Sequence, residues 1–236
     1  MMKSARILFF LAFSFAKMQA DKNIDAGILP YYYDENGKAY FLLGKEPNGV
    51  WADFGGKHEQ GEYSSETAAR EFSEETRYVF GKYAGKINLL EKAEKSQLKD
   101  SVNYIKGRIT AKLEHPKKYY IMYLAQVDFI PAEMFTDAPK VPHYEKKDYE
   151  WVPAKKFIKA IEMSSDRNNT FFETKQIRKE FFDTLKHEYS TLKDIFCVQK
   201  KKSMKYTKSK KDYSILEDSL QNLARSIHEV EKKLLN

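Results

Sequence analysis

The sequence predicts an α/β fold with a mixed sheet and helices gathered towards its C-terminal end. Three observations carry this. Two apolar strands joined by an Asn-Gly turn come early, a carboxylate-rich helix follows, and further strands then give way to apolar residues at helical spacing. Strands, a helix, more strands and then helices are the element order of a sheet packed by helices.

Each element has a local reason. Ala26 to Tyr33 (AGILPYYY) reads as a strand and Lys38 to Gly44 (KAYFLLG) as its return. Between them Asp34-Glu35-Asn36-Gly37 supplies hairpin chemistry, because Asn-Gly accepts the positive φ angles such turns need. Trp51-Ala52-Asp53-Phe54 is a short strand running into Gly55-Gly56. Residues 64–80 read as a helix, with Ser64 or Ser65 as N-cap and Ala68, Ala69, Phe72 and Val79 as its apolar component. Residues 84–118 hold strand-like pieces (Tyr104 to Leu113) among Lys/Glu-rich stretches. Tyr119 to Phe129 is a strand, Tyr149 to Val152 a shorter one, and Pro153 leads into a helix over about residues 154–162. Ile177, Phe181, Leu185, Tyr189, Leu192 and Phe196 then fall at helical spacing across residues 171–196.

Bulk properties narrow the class. A chain of 236 residues suits one domain with additions or two small domains. Hydrophobic residues make up 42% and aromatics 14%, enough for a packed core, so global disorder is excluded. The single cysteine, Cys197, excludes an intramolecular disulfide and argues against a Cys-based zinc site. The formal charge of +7 favours anionic partners without choosing among them.

The two ends differ from the middle. Residues 1–20 place Lys3 and Arg6 before an apolar run from Ile7 to Phe13, with small-residue exits at Ala16 and Ala20. A signal peptide has this layout, which would send the chain to a secreted or periplasmic location. Two alternatives stand beside it: a buried first helix, or translation from Met18 with a cytoplasmic product. No other segment is long and apolar enough to span a membrane. A domain over residues 21–196 is followed by a Lys-rich linker over 197–211. Residues 212–236 then form an amphipathic segment in which Leu216, Leu220, Leu223, Ile227, Val230 and Leu234 mark an a/d seam of about three heptads, suited to dimerisation or to packing on the domain. Lys200 to Lys211 would suit RNA, anionic lipid or acidic protein, or simply a solvated linker.

The chemistry lies in one stretch. From Gly56 the chain runs five residues to Glu62, seven more to Arg70-Glu71-Phe72-Ser73-Glu74-Glu75, then Thr76-Arg77-Tyr78. This resembles the Nudix box, G-x5-E-x7-R-E-U-x-E-E-x-G-U with U bulky and apolar. Phe72 and Tyr78 fill the two apolar positions, and Arg77 stands where the pattern has glycine. The Trp51–Gly56 lead-in is similar to the family's strand into a Gly-Gly turn, and the resemblance covers roughly residues 24–162. It implies a Nudix-like α/β/α sandwich and a Mg²⁺-dependent hydrolase, with Mn²⁺ as a possible substitute.

Physical chemistry points the same way. Glu71, Glu74 and Glu75 stand at i, i+3 and i+4, so they share one helix face and repel one another unless a cation lies among them. Mg²⁺ takes hard oxygen ligands, usually a few carboxylates with water and substrate phosphate. The resemblance implies Glu71, Glu74, Glu75 and the Gly56 carbonyl as metal ligands, with Glu75 foremost among the residues of the reaction. It implies Arg70 as the residue that orients a carboxylate, Glu62 or one of the helix glutamates, and its guanidinium fork suits that role better than an ammonium. Glu150, and less so Glu145, are candidates for a general base or further ligand. Tyr31, Trp51 and Phe54 are aromatic enough to stack on a base, although core packing suits them better. His58 is expected at the surface, and the five histidines show no metal-ligand spacing. For Arg77, either the helix ends there in a left-handed conformation costing about 1 kcal/mol, or it runs on to Gly81.

Three functions follow as expectations. The first is hydrolysis of a nucleoside diphosphate linked to another moiety, of the ADP-ribose, dinucleoside polyphosphate or nucleoside triphosphate type. The second is an RNA 5′-end or cap pyrophosphohydrolase using the basic tail. The third is a non-catalytic nucleotide-binding or interaction module.

Overall fold

A computed structural model describes residues 23–81, 91–137, 146–164 and 175–197. Residues 1–20, Glu145, the Lys200 to Lys211 run and the terminal heptads lie outside them.

The sheet is built around its first strand. Strand β1 (Asp25–Tyr33) lies parallel to β6 (Tyr120–Gln126), and β6 pairs antiparallel with β5 (Ile109–Glu114). On its other side β1 meets two partners. Its end, Tyr31 to Tyr33, pairs with β2 (Ala39–Lys45), while its start, Ala26 to Ile28, pairs with β4 (Phe54–Gly56). The far end of β2 pairs with β3 (Trp51–Ala52), and its outer side takes β7 (Asp148–Pro153). The hairpin strands β1 and β2 therefore splay apart, and the β3–β4 segment fills the gap between them. Asp53 sits at its joint, fully buried. At the closed end of the hairpin, Gly37 adopts φ 74° and the Asp34 carboxylate accepts the Asn36 and Lys38 amides at 2.9 and 2.8 Å.

Strand alternation buries both faces. Leu29, Phe41, Leu43, Met122, Leu124 and Val152 meet one helical layer made of α4 (Ala154–Met163), α5 (Lys179–His187) and α6 (Tyr189–Phe196). Ile28, Leu42, Ile121, Tyr123 and Tyr149 face the other way, towards α1 (Ser64–Glu75), α2 (Glu91–Lys106) and α3 (Glu133–Asp137). The result is an α/β/α sandwich with a mixed sheet. Among the described residues no helix is long and apolar enough to cross a membrane.

Three expectations need correction. The strand-like pieces expected from Tyr104 are the end of α2, and β5 begins only at Ile109, because Ile105 packs with the α1 layer at helical spacing. The helical spacing over 171–196 is not one helix. Ile177 forms an isolated bridge beside Trp51, and α5 and α6 are separate helices with Glu188 between them. The helix expected over 64–80 stops at Glu75, and Tyr63 rather than a serine caps it, its amide donating to the Glu66 carboxylate at 3.2 Å.

Candidate active site

Helix α1 places its residues by rotation, at about 100° per residue. Ala68 and Phe72 define a buried stripe against the sheet, and Glu75 falls on the same stripe one turn further on. Glu71 and Glu74 lie progressively round the flank, and Arg70 lies furthest round. One helix therefore carries a buried carboxylate and two partly exposed ones.

The helix ends sharply after Glu75. Tyr78 N–H donates to Ser73 C=O at 2.8 Å and Arg77 N–H to Glu74 C=O at 3.0 Å. These are the two bonds of a Schellman termination, with Arg77 in the left-handed position that glycine normally takes. Arg77 and Tyr78 adopt φ 55° and 57°, each at a cost of about 1–2 kcal/mol. The Arg77 guanidinium donates to Thr136 C=O at 2.7 Å, and Val79 and Phe80 fold back into the core beside Phe72. Of the two readings of Arg77, the structure has the left-handed one. The turn also leaves the Glu75 carbonyl without a helical donor, and Tyr149 O–H supplies one at 2.6 Å.

The exposed flank is organised by Arg70. Its Nε donates to Glu62 at 2.9 Å, Nη2 to the Lys57 carbonyl at 2.9 Å and Nη1 to Glu71 at 2.7 Å, with Glu74 at 3.5 Å from the same nitrogen. One guanidinium thus ties the loop after Gly56 to both flanking carboxylates. Burial raises the Glu62 carboxyl, but hydrogen bonds from Arg70, the Glu59 amide and Thr67 outweigh it and hold the group below its ordinary range. The Glu71 carboxylate lies directly against Gly56, where a side-chain carbon would sit 2.5 Å from it. A side chain at position 56 would have to push the Glu71 carboxylate out of this place.

The buried flank is organised by two cations from distant parts of the chain. Glu75 accepts the Gly55 amide on Oε2 at 2.8 Å and faces Lys146 Nζ on Oε1 at 3.2 Å. Lys146, itself 1% exposed, also lies 3.5 Å from Glu46. Arg178 bridges Glu46 at 3.1 Å and Asp53 at 2.6 Å, and Tyr120 O–H donates to the other Asp53 oxygen at 2.6 Å. Burial pushes the Glu75 carboxyl up to about 7, against the pull of Lys146 and Arg178.

The structure brings Gly56, Arg70, Glu71 and Glu74 together and places Glu75 on the adjoining buried side. It does not bring Glu150 to them. Strand alternation turns Glu150 to the sheet face opposite Tyr149, the residue that touches the end of α1, and Glu150 pairs there with Lys175 at 3.1 Å. Tyr31, Trp51 and Phe54 are core residues, and exposed His58 bonds Asp25 at 2.8 Å. Sequence reasoning missed Glu46, Asp53, Tyr120, Lys146 and Arg178. Only Asp53, a charge inside an apolar strand, carried a local signal.

Comparison with known proteins gives the family. The NUDIX domain pattern matches residues 23–173, so the chain belongs to the Nudix family, whose enzymes are hydrolases acting on phosphoric anhydrides. It is similar to an uncharacterized protein of Acanthamoeba polyphaga mimivirus, 44% identical over 62 residues, a stretch covering 23% of this chain and 20% of that protein. Among solved structures it is similar to a Nudix hydrolase from M. smegmatis, at 14% identity over 75% of this chain and 88% of that one, with a TM-score of 0.37. It is also similar to a MutT protein from Methanosarcina mazei Go1, at 19% identity over 72% and 95%, with a TM-score of 0.36.

Proposed function

We propose that the chain is a Mg²⁺-dependent hydrolase that cleaves the diphosphate of a nucleoside diphosphate linked to another moiety. The observation that carries this is the pair Glu71 and Glu74, drawn to one Arg70 nitrogen, with the Glu71 carboxylate against Gly56. Two carboxylates and a backbone carbonyl are a hard oxygen set, and Mg²⁺ commonly uses one or two carboxylates with substrate phosphate completing its shell. Among the described residues no three His, Cys, Asp or Glu side chains are gathered closely enough to hold a metal by themselves.

In this reading Glu71, Glu74, Glu75 and the Gly56 carbonyl hold the ion. When bound it would polarise a phosphoryl oxygen, acidify an attacking water and neutralise the diphosphate. The protein's own part is positioning. Arg70 fixes the two flanking carboxylates, Tyr149 and the Schellman turn fix the end of α1, and the Gly55 amide fixes one Glu75 oxygen.

The test is a hydrolysis panel with Mg²⁺ and Mn²⁺ on ADP-ribose, dinucleoside polyphosphates, nucleoside triphosphates and 5′-triphosphorylated or capped RNA, with product analysis. A nucleoside monophosphate and a phosphorylated product are expected. Turnover of RNA alone, weakening steeply with salt, would instead favour a role for the Lys200 to Lys211 run. Inertness to the whole panel would favour a binding module.

A further inference from the structure

The cation facing Glu75 belongs to the protein. Lys146 is buried in a slot built for it: a side-chain carbon on Gly44 would lie 2.9 Å from its Cδ and 3.0 Å from its Cγ. Its Nζ stands 5.9 Å from the Phe54 ring centre, and the next residue, Lys147, is anchored by its amide to the Lys45 carbonyl at 2.7 Å. A lysine this buried is rare unless paired, and its partners here are Glu75 and Glu46. On Glu75, Oε2 accepts the Gly55 amide and Oε1 faces the Lys146 ammonium, so each oxygen already has a partner supplied by the protein.

We propose that Lys146 is a resident counter-ion that competes with the divalent ion for Glu75, so that metal takes the Oε1 side of this carboxylate by displacing the Lys146 ammonium. The inference rests on the metal reading of the site given above. Charge makes the competition possible. Glu46, Asp53 and Glu75 face Lys146 and Arg178, three carboxylates against two cations, and Arg178 is already committed to Asp53 and Glu46. Lys146 is therefore the cation whose departure frees Glu75, and Glu46 at 3.5 Å can keep hold of it as it leaves. The consequence is a carboxylate, Glu75, whose recruitment to the ion has a threshold set by a cation of the protein itself.

Mn²⁺ binding to the substrate-free full chain tests this by calorimetry and by the electron paramagnetic resonance signal of free Mn²⁺. Lys146→Met and Lys146→Gln should bind Mn²⁺ at least about tenfold more tightly than the parent, equivalent to about 1.4 kcal/mol. Unchanged or weaker binding in folded variants overturns the competition while leaving the metal site standing. If neither parent nor variant binds Mn²⁺, the metal reading fails and the inference falls with it. A second measurement needs no variant. In the parent, Lys146 should resist amine acetylation without Mn²⁺ and become labelled at saturating Mn²⁺, read by peptide mass spectrometry. Equal labelling in both states of an Mn²⁺-binding protein overturns the proposal.

Discussion

The two flanks of α1 make a useful comparison. On the open flank, Arg70 gathers Glu62, Glu71, Glu74 and the Lys57 carbonyl, all within thirteen positions of itself. On the buried flank, Glu75 belongs to a chain of charges from positions 46, 53, 146 and 178, with the neutral Tyr120 hydroxyl on Asp53. The first is local, partly exposed and built from a motif. The second is non-local, and its Asp53, Glu75 and Lys146 are buried. Partly exposed charges keep some solvation whether or not they pair, so the Arg70 fan chiefly sets orientation. Buried charges have no such refuge, so loss of one partner leaves another uncompensated. The flanks should therefore respond in opposite ways: activity should be sensitive on one, stability on the other, with Glu75 where they meet.

Four substitutions separate them. Glu75→Gln should have the largest effect on activity, with turnover of the panel substrate falling by more than the 10–100-fold that loss of an outer partner typically costs, roughly. Circular dichroism should show the fold intact, and full activity would refute the site. Arg178→Met should be the largest stability loss, about 3–5 kcal/mol by urea unfolding, because fully buried Asp53 and half-buried Glu46 lose the cation between them. A loss below about 1 kcal/mol would mean the buried flank is not a charge-compensated unit.

Smaller effects belong to the open flank. Arg70→Lys should lower kcat/KM by about tenfold while shifting stability by no more than about 1 kcal/mol, since an ammonium cannot span Glu62, Glu71 and the Lys57 carbonyl as the fork does. Equal loss of both quantities would erase the distinction. Smallest is an acid effect. The Glu62 carboxyl is held below its ordinary range in the folded protein, so its contribution is present above the unfolded pKa and is lost as pH falls through the lower folded value. Glu62→Gln should flatten the acid limb of a melting-temperature profile below about pH 4.5, and an unchanged limb would show that the Arg70 contact adds no stability.

Legibility followed the same division. The hairpin, the Gly-Gly lead-in, the carboxylate spacing and the helix after Pro153 were readable because each depends on neighbours within a few residues. The sequence placed Glu71, Glu74 and Glu75 on one shared face, whereas the structure carries Glu75 round to the apolar stripe one turn beyond Phe72 and buries it. What misled was local pattern without tertiary context. Tyr104 has strand propensity yet ends α2, and Ile177 matches helical spacing yet lies beside Trp51. Glu150 stood near the right place in sequence, but one position along a strand reverses the face.

By itself, then, the sequence determined the class of this protein and half of the geometry of its candidate site. The spacing of Arg70, Glu71 and Glu74 on a helix, and a glycine pressed by one of them, follow from covalent distance and helical pitch. Tertiary structure decided the other half. Lys146 and Arg178 look like any of the chain's 41 Lys and Arg residues until the fold buries them, because the cost of burying a charge depends on what the rest of the chain brings to face it.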